Sequence, residues 1–145
     1  MKFQVIAIAS ASAILAACAA PTSAEDEQTL EEALADPRVG EKTDRICFTR
    51  GINGFSEWDG PQDGMILHKG ASQKYLVLLG GGCLTADRAQ AIGVDERFGG
   101  GCLTRGDYLF VSDSIFPGRS SDPFSVDRCL VTAIYDWDED KGADE

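Results

Sequence analysis

Few residue types in this chain could carry chemistry: five cysteines, one histidine and scattered carboxylates. His68 is the single histidine, so any Ser–His or Cys–His mechanism has to use it. No GxSxG elbow accompanies it. Glu57, Asp59, Asp107 and Asp113 could supply paired carboxylates for acid–base work, but linear spacing places no two of them at a working separation. Asp107 follows Gly106 and precedes an apolar run, which reads more simply as a turn. The acids from Asp136 to Asp140 echo the start of a calcium loop, with Gly142 one place late for it. The expectation is therefore no catalytic residue, no metal and no cofactor.

Gly80-Gly81-Gly82-Cys83-Leu84-Thr85 returns as Gly99-Gly100-Gly101-Cys102-Leu103-Thr104. A phosphate cradle is one reading of such glycines. Thr85 and Thr104 occupy the final position of GxGxxG, however, and no GK[ST] follows. Glycine turns at positive φ, each presenting a cysteine, account for the repeat better.

Cys18 stands apart from the other four cysteines. Met1-Lys2 is a short positive start, Phe3 to Leu15 is mostly apolar, and Leu15-Ala16-Ala17-Cys18 fits the bacterial lipobox. The rival readings are an ordinary cleaved signal and an uncleaved anchor; the apolar stretch is short of the ~20 residues a spanning helix needs. Residues 1–17 are thus read as a lipoprotein signal and Cys18 as the lipidated residue. Stable anchoring follows from several acyl chains at roughly 0.8 kcal/mol per buried CH₂. Ala19 after the lipid cysteine favours the outer membrane, facing the periplasm.

In an oxidising compartment Cys47, Cys83, Cys102 and Cys129 read as two disulfides, with three pairings open. We favour Cys83–Cys102, joining the twin glycine corners, and Cys47–Cys129, joining the first and last strands of the body. Zinc is the competing use, but no two of these cysteines have CxxC-type spacing.

The elements that must position these residues are short. Residues 18–44 form an acidic tether, in which Glu25 to Ala35 has helix formers ending at Pro37. That segment is read as solvated rather than docked. The body, 45–135, opens with strands at Arg45–Thr49 and Gly51–Trp58. In the second, Ile52, Gly54, Ser56 and Trp58 fall on one face and Phe55 on the other. Met65–His68 and Lys74–Leu79 make a hairpin, and the unbroken apolar run Tyr75–Leu79 predicts a strand covered on both faces. Thr85 to Gly93 reads as a two-turn helix, Asp107–Val111 and Arg128–Tyr135 as strands, and Phe116–Asp127 as a long loop. Residues 136–145 read as a disordered acidic tail. The fold class expected is mostly β (α+β): a small bent antiparallel sheet or partly closed barrel of five or six strands, with one short helix and two disulfides.

The formal net charge of −11 comes from the flanks: residues 18–44 hold eight acids and two bases, 136–145 six and one, and 45–135 ten and nine. A near-neutral body lacks the basic face that nucleic acid requires. Phe55, Trp58 and Phe116 flank predicted loops and are candidates for a partner surface, with core filling as the plainer reading.

With the lipobox, Arg45-Ile46-Cys47, Lys74-Tyr75-Leu76-Val77-Leu78 leading into Gly82-Cys83-Leu84, Ala89-Gln90-Ala91-Ile92, Cys102 with Gly106-Asp107, and Cys129-Leu130-Val131-Thr132-Ala133-Ile134, the chain resembles a family. It is similar to small lipoproteins of Gram-negative bacteria grouped as a domain of unknown function, DUF6491, over about residues 45–135. The resemblance implies a disulfide-bonded envelope domain and supplies no catalytic residues. The function expected is a non-catalytic envelope lipoprotein, membrane-bound through Cys18 and serving as an accessory module for an unknown envelope protein or ligand. The alternatives are a small periplasmic hydrolase using His68 or a carboxylate pair, and an inhibitor of a cationic enzyme such as lysozyme.

Overall fold

The computed structural model describes residues 24–80, 82–95, 100–115 and 126–142. In chain order its elements are α1 (Ala24–Leu34), β1 (Val39–Lys42), β2 (Arg45–Cys47), β3 (Ile52–Glu57), β4 (Gly64–Lys69), β5 (Gln73–Leu79), β6 (Ala91–Asp95), β7 (Cys102–Thr104), β8 (Tyr108–Ser112) and β9 (Val126–Trp137). Six strands form a curled antiparallel half-barrel in the order β3-β4-β5-β9-β8-β6, β1 pairs with β9, and β2 with β7 makes a separate two-stranded ribbon. The mostly β class with one short helix and two disulfides is the architecture the sequence predicts.

Residue alternation explains why the sheet holds. Along β4 and β5, Met65, Leu67, Val77 and Leu79 enter an inner cluster with Ile46, Leu103, Leu109, Val111 and Val131. Ile66, Leu76 and Leu78 enter an outer cluster with Trp58, Ala133, Tyr135 and Trp137. The run Tyr75–Leu79 is apolar throughout because β5 is covered on both faces. Leu67, Leu76 and Val77 lose all solvent exposure, and each contributes about 1.5–3 kcal/mol of burial.

The outer face needs a cover, and α1 supplies it. Ala33 is buried in the outer cluster, with Leu30 packed against it. The chain then turns through Asp36–Arg38 and enters β1 beside Trp137. Arg38 chelates Asp36 with its guanidinium, which holds the Asp36 carboxyl below the usual carboxylate range, and stacks 4.7 Å over the Trp137 ring. The segment from Thr29 to Asp44 is therefore docked, where the sequence reads as a solvated tether. The physical reason is that the outer faces of β4, β5 and β9 are too apolar to stand in water. Ala33→Asp is expected to cost about 2 kcal/mol. The test is limited proteolysis with urea denaturation: the helix should become cleavable while the half-barrel remains.

Two bulges set which side chains face inward. The register of β3 on β4 slips between Ile52 and Gly54, so Ile52 joins Phe55 against the inner cluster, not Gly54, Ser56 and Trp58 as strict alternation predicts. A second slip, between Leu78 and Leu79 on β5, leaves Thr132 of β9 as the extra residue; its hydroxyl donates to the Leu78 carbonyl at 3.1 Å. Val131 and Ile134 both face inward across that bulge. One 12-residue strand can thus serve β8 with its first half and β5 with its second.

Further differences follow from tertiary pairing. The predicted helix from Thr85 to Gly93 is a single 3-10 turn at Ala86–Arg88, followed by β6, which pairs with β8 from Ala91↔Ser112 to Asp95↔Tyr108. The tail is ordered as far as Gly142: β9 runs to Trp137 and a 3-10 turn spans Glu139–Gly142. Two of its acids form ion pairs, Glu139 with Lys74 and Asp138 with Lys141.

At one mouth of the half-barrel, Tyr75 lies opposite Asp136 and packs on the inner cluster. Burial first, and the Asp136 charge second, push its phenol above the ordinary tyrosine value. The neutral phenol is favoured in the fold. Its contribution to stability is therefore complete below the unfolded tyrosine pKa of about 10 and disappears as pH rises through the higher folded value. An absorbance titration should show a late-ionising tyrosine that vanishes in Tyr75→Phe.

Candidate functional site

The repeated hexapeptide builds two similar corners. Thr104 donates its backbone N–H (2.7 Å) and its hydroxyl (2.8 Å) to the Asp107 carboxylate. Thr85 donates the same two groups, at 3.0 and 2.9 Å, to Asp127. Gly82 and Gly101, just ahead of the two cysteines, both sit at positive φ. The copies differ at leucine: Leu103 is buried in the core and Leu84 is 76% exposed.

The corners are not joined to each other: the disulfides are Cys47–Cys102 and Cys83–Cys129. This corrects the expected Cys83–Cys102 and Cys47–Cys129 pairing. Cys102 lies directly opposite Cys47 in the β2–β7 ribbon, and the Cys83 corner packs against β9 through the inner cluster. Strand adjacency, not similarity of the corners, selects the partner.

The ribbon produces the most exposed aromatic among the described residues. The chain leaves β2 at Cys47 and must reverse into β3, and Phe48 makes the reversal at φ 59, ψ 56. It is 79% exposed. The bonds around it define the turn: Thr49 N–H to the Gly101 carbonyl (3.1 Å), Gly51 N–H to the Phe48 carbonyl (2.8 Å), and Gly70 N–H to the Gly51 carbonyl (3.0 Å). A bulky side chain at positive φ costs about 1–2 kcal/mol. Lys69 Nζ stands 5.8 Å from the centre of the ring.

Phe48, Thr49, Arg50, Gly100 and Gly101 line a groove of about 530 Å³. Thr49 and Arg50 also border a second groove, of about 280 Å³, with Ile52, Ile92 and Val94. This second groove lies between β3 and β6, the two edges of the half-barrel. Together they make one strip with an aromatic at its head, Arg50 at its middle and aliphatic side chains at its foot.

A family model described as a family of unknown function, DUF6491, matches residues 1–145. The chain belongs to DUF6491. No match is found among curated proteins or among solved structures. The description of DUF6491 names no activity, so the site in this DUF6491 chain rests on its geometry.

Of the three residues that the sequence offers as a partner surface, the two described ones fill the core, the plainer of the two readings. Trp58 is buried in the outer cluster, Phe55 packs on the inner one, and Phe116 lies outside the described residues, as do Cys18 and most of the Phe116–Asp127 loop. The sequence does not single out Phe48, which reads as the continuation of an apolar strand. Its only sequence signal is its place directly after a cysteine and shortly before Gly51.

The single histidine of this DUF6491 domain is on the outer face. Its Nε2 lies 3.0 Å from Ser56 Oγ, and its Nδ1 side faces the backbone of Gly54. Glu139 is close enough for the His68 charge to help lower its carboxyl pKa, but the hydrogen bond from Lys74 is the larger cause. Among the described residues no carboxylate hydrogen-bonds Nδ1, and the grooves at Phe48 and Ile92 are lined by other residues. The arrangement is a cross-strand hydrogen bond without the orienting acid of a nucleophilic triad.

Proposed function

We propose that this DUF6491 protein is a non-catalytic accessory module of the bacterial envelope. It is anchored through the lipid on Cys18, at the outer membrane facing the periplasm, and docks another envelope component on Phe48 and the adjoining strip. The observation that carries the reading is Phe48, a bulky aromatic at φ 59 with 79% of its surface in water. The left-handed backbone opposes folding and the exposed ring returns no burial to offset it, so the residue is best explained by something it contacts. The lipobox at Leu15–Cys18 and two disulfides in one small domain support an exported address.

Phe48→Gly separates the two roles. Glycine adopts the turn without the left-handed penalty but adds freedom to the unfolded chain, so stability is expected to rise by up to about 1 kcal/mol. Docking should be lost. A photo-crosslinking residue at position 48 of the lipidated chain, in native envelopes, should give one stoichiometric product. The same probe at Phe110, an exposed aromatic in ordinary β8 backbone, should give none. No product at position 48, or equal products at both, rejects the reading.

A further inference from the structure

We propose that Cys47–Cys102 is a thiol-exchange site whose reduction releases the Phe48 segment, while Cys83–Cys129 holds the fold. Its use as a control of docking rests on the reading of Phe48 above; its selectivity rests on the two disulfides alone. Cys83 and Cys129 are 3% and 2% exposed and belong to the inner cluster. Cys47 and Cys102 are both only half-buried, and they bridge a ribbon of three residues per strand that belongs to neither edge of the half-barrel. Next to Cys102 the backbone is Gly100-Gly101, where an added Cβ would meet no atom within 4 Å, so no side chain stands over these two positions. Exposed disulfides are the ones that exchange, since the attacking thiolate has to reach a sulfur.

The reductant is a dithiol. Its thiolate attacks Cys102 Sγ, forming a mixed disulfide; the Cys47–Cys102 bond breaks, and its electron pair leaves on Cys47 Sγ, which takes a proton. The second thiol of the reductant then loses its proton and attacks its own sulfur in the mixed disulfide, releasing Cys102 as a thiolate that is protonated in turn. Two electrons and two protons pass to the protein, and the dithiol becomes a disulfide.

Loss of the cross-link leaves the ribbon tethered by the burial of Ile46 and Leu103 and by its short ladder. Cys47 and Phe48 follow Ile46 directly. The turn that presents Phe48 leans on Gly101, through Thr49 N–H. Opening of the ribbon therefore removes the support of the aromatic, while the ladders that join β4, β5 and β9 keep their own pairing.

The test uses the unmodified chain. Native protein is exposed to graded dithiothreitol, alkylated and mapped by mass spectrometry, with hydrogen exchange measured on the partly reduced sample. Alkylation at Cys47 and Cys102 is expected to run at least about tenfold faster than at Cys83 and Cys129, with protection lost from Ile46 to Thr49 and kept in β4, β5 and β9. Equal rates, the reverse order, or unchanged protection at the ribbon after selective reduction overturns the proposal. Failure of the docking reading is scored separately, by the crosslink from position 48 in fully oxidised protein.

Discussion

Replacing Cys83 and Cys129 together by alanine is expected to lower stability by about 5 kcal/mol and to leave the chain largely unfolded at about 37 °C. The chain-entropy argument gives about 4 kcal/mol for a loop of this length. It gives nearly the same for the other bridge, because the separations are 46 and 55 residues. Loop length therefore does not rank the two. Burial does: Cys83 and Cys129 fill space in the inner cluster beside Leu109, Val111 and Val131, and truncating them leaves cavities there. Cys47→Ala with Cys102→Ala removes a half-buried bridge from a peripheral ribbon and should cost about 4 kcal/mol at most. Urea denaturation followed by fluorescence of Trp58 and Trp137 measures both. An equal or reversed ranking would mean that packing around the buried sulfurs contributes nothing.

Asp107→Ala should lower stability by about 3 kcal/mol. Asp107 is 1% exposed. Its carboxylate receives the N–H and hydroxyl of Thr104. Its backbone meanwhile stitches the β7–β8 turn to β9: Val131 N–H donates to the Asp107 carbonyl at 2.9 Å, and Gly106 N–H to the Val131 carbonyl at 2.9 Å. Alanine keeps the backbone bonds and leaves two donors of Thr104 without their acceptor. Asp107→Asn keeps one good acceptor and should lose about half as much. The equivalent clamp on Thr85, from the half-buried Asp127, is more open to water. Asp127→Ala should cost about 1–2 kcal/mol. Urea midpoints at unchanged slope are the measurement, and a loss at Asp127 as large as at Asp107 would refute the role given to burial.

Of the candidate site, the sequence made little legible. Glycine and cysteine marked the corners, and Asp107 was readable as a turn residue because it stands between Gly106 and an apolar run. Phe48 was not readable: an aromatic after Ile46-Cys47 looks like one more strand residue, and its reversal depends on hydrogen bonds to Gly101 and through Gly51 to Gly70. Trp58 and Phe55 border a turn-rich loop, which allows a surface role, but core filling is the plainer reading and the structure has it. Phe55 of β3 packs on the inner cluster, and Trp58, just past the end of β3, on the layer that includes Ala33 and Trp137.

What the sequence determined by itself was local and compositional. Alternation defined most strands, the run from Tyr75 to Leu79 declared a strand buried on both faces, and the charge count put the acidity on the flanks. Tertiary structure decided the rest, because each remaining question concerned which segments lie side by side. The Ala86–Asp95 stretch is too short and too mixed for its period to choose between helix and strand, and the free edge of β8 chose strand. The bulges at Asn53 and Thr132 changed which residues face inward, although neither position carries a glycine or proline to announce it. Disulfide partners followed from β2 lying against β7 and from the Cys83 corner lying against β9. Two copies of one hexapeptide cannot encode that difference, since a sulfur bonds to whichever sulfur the folded backbone brings within reach.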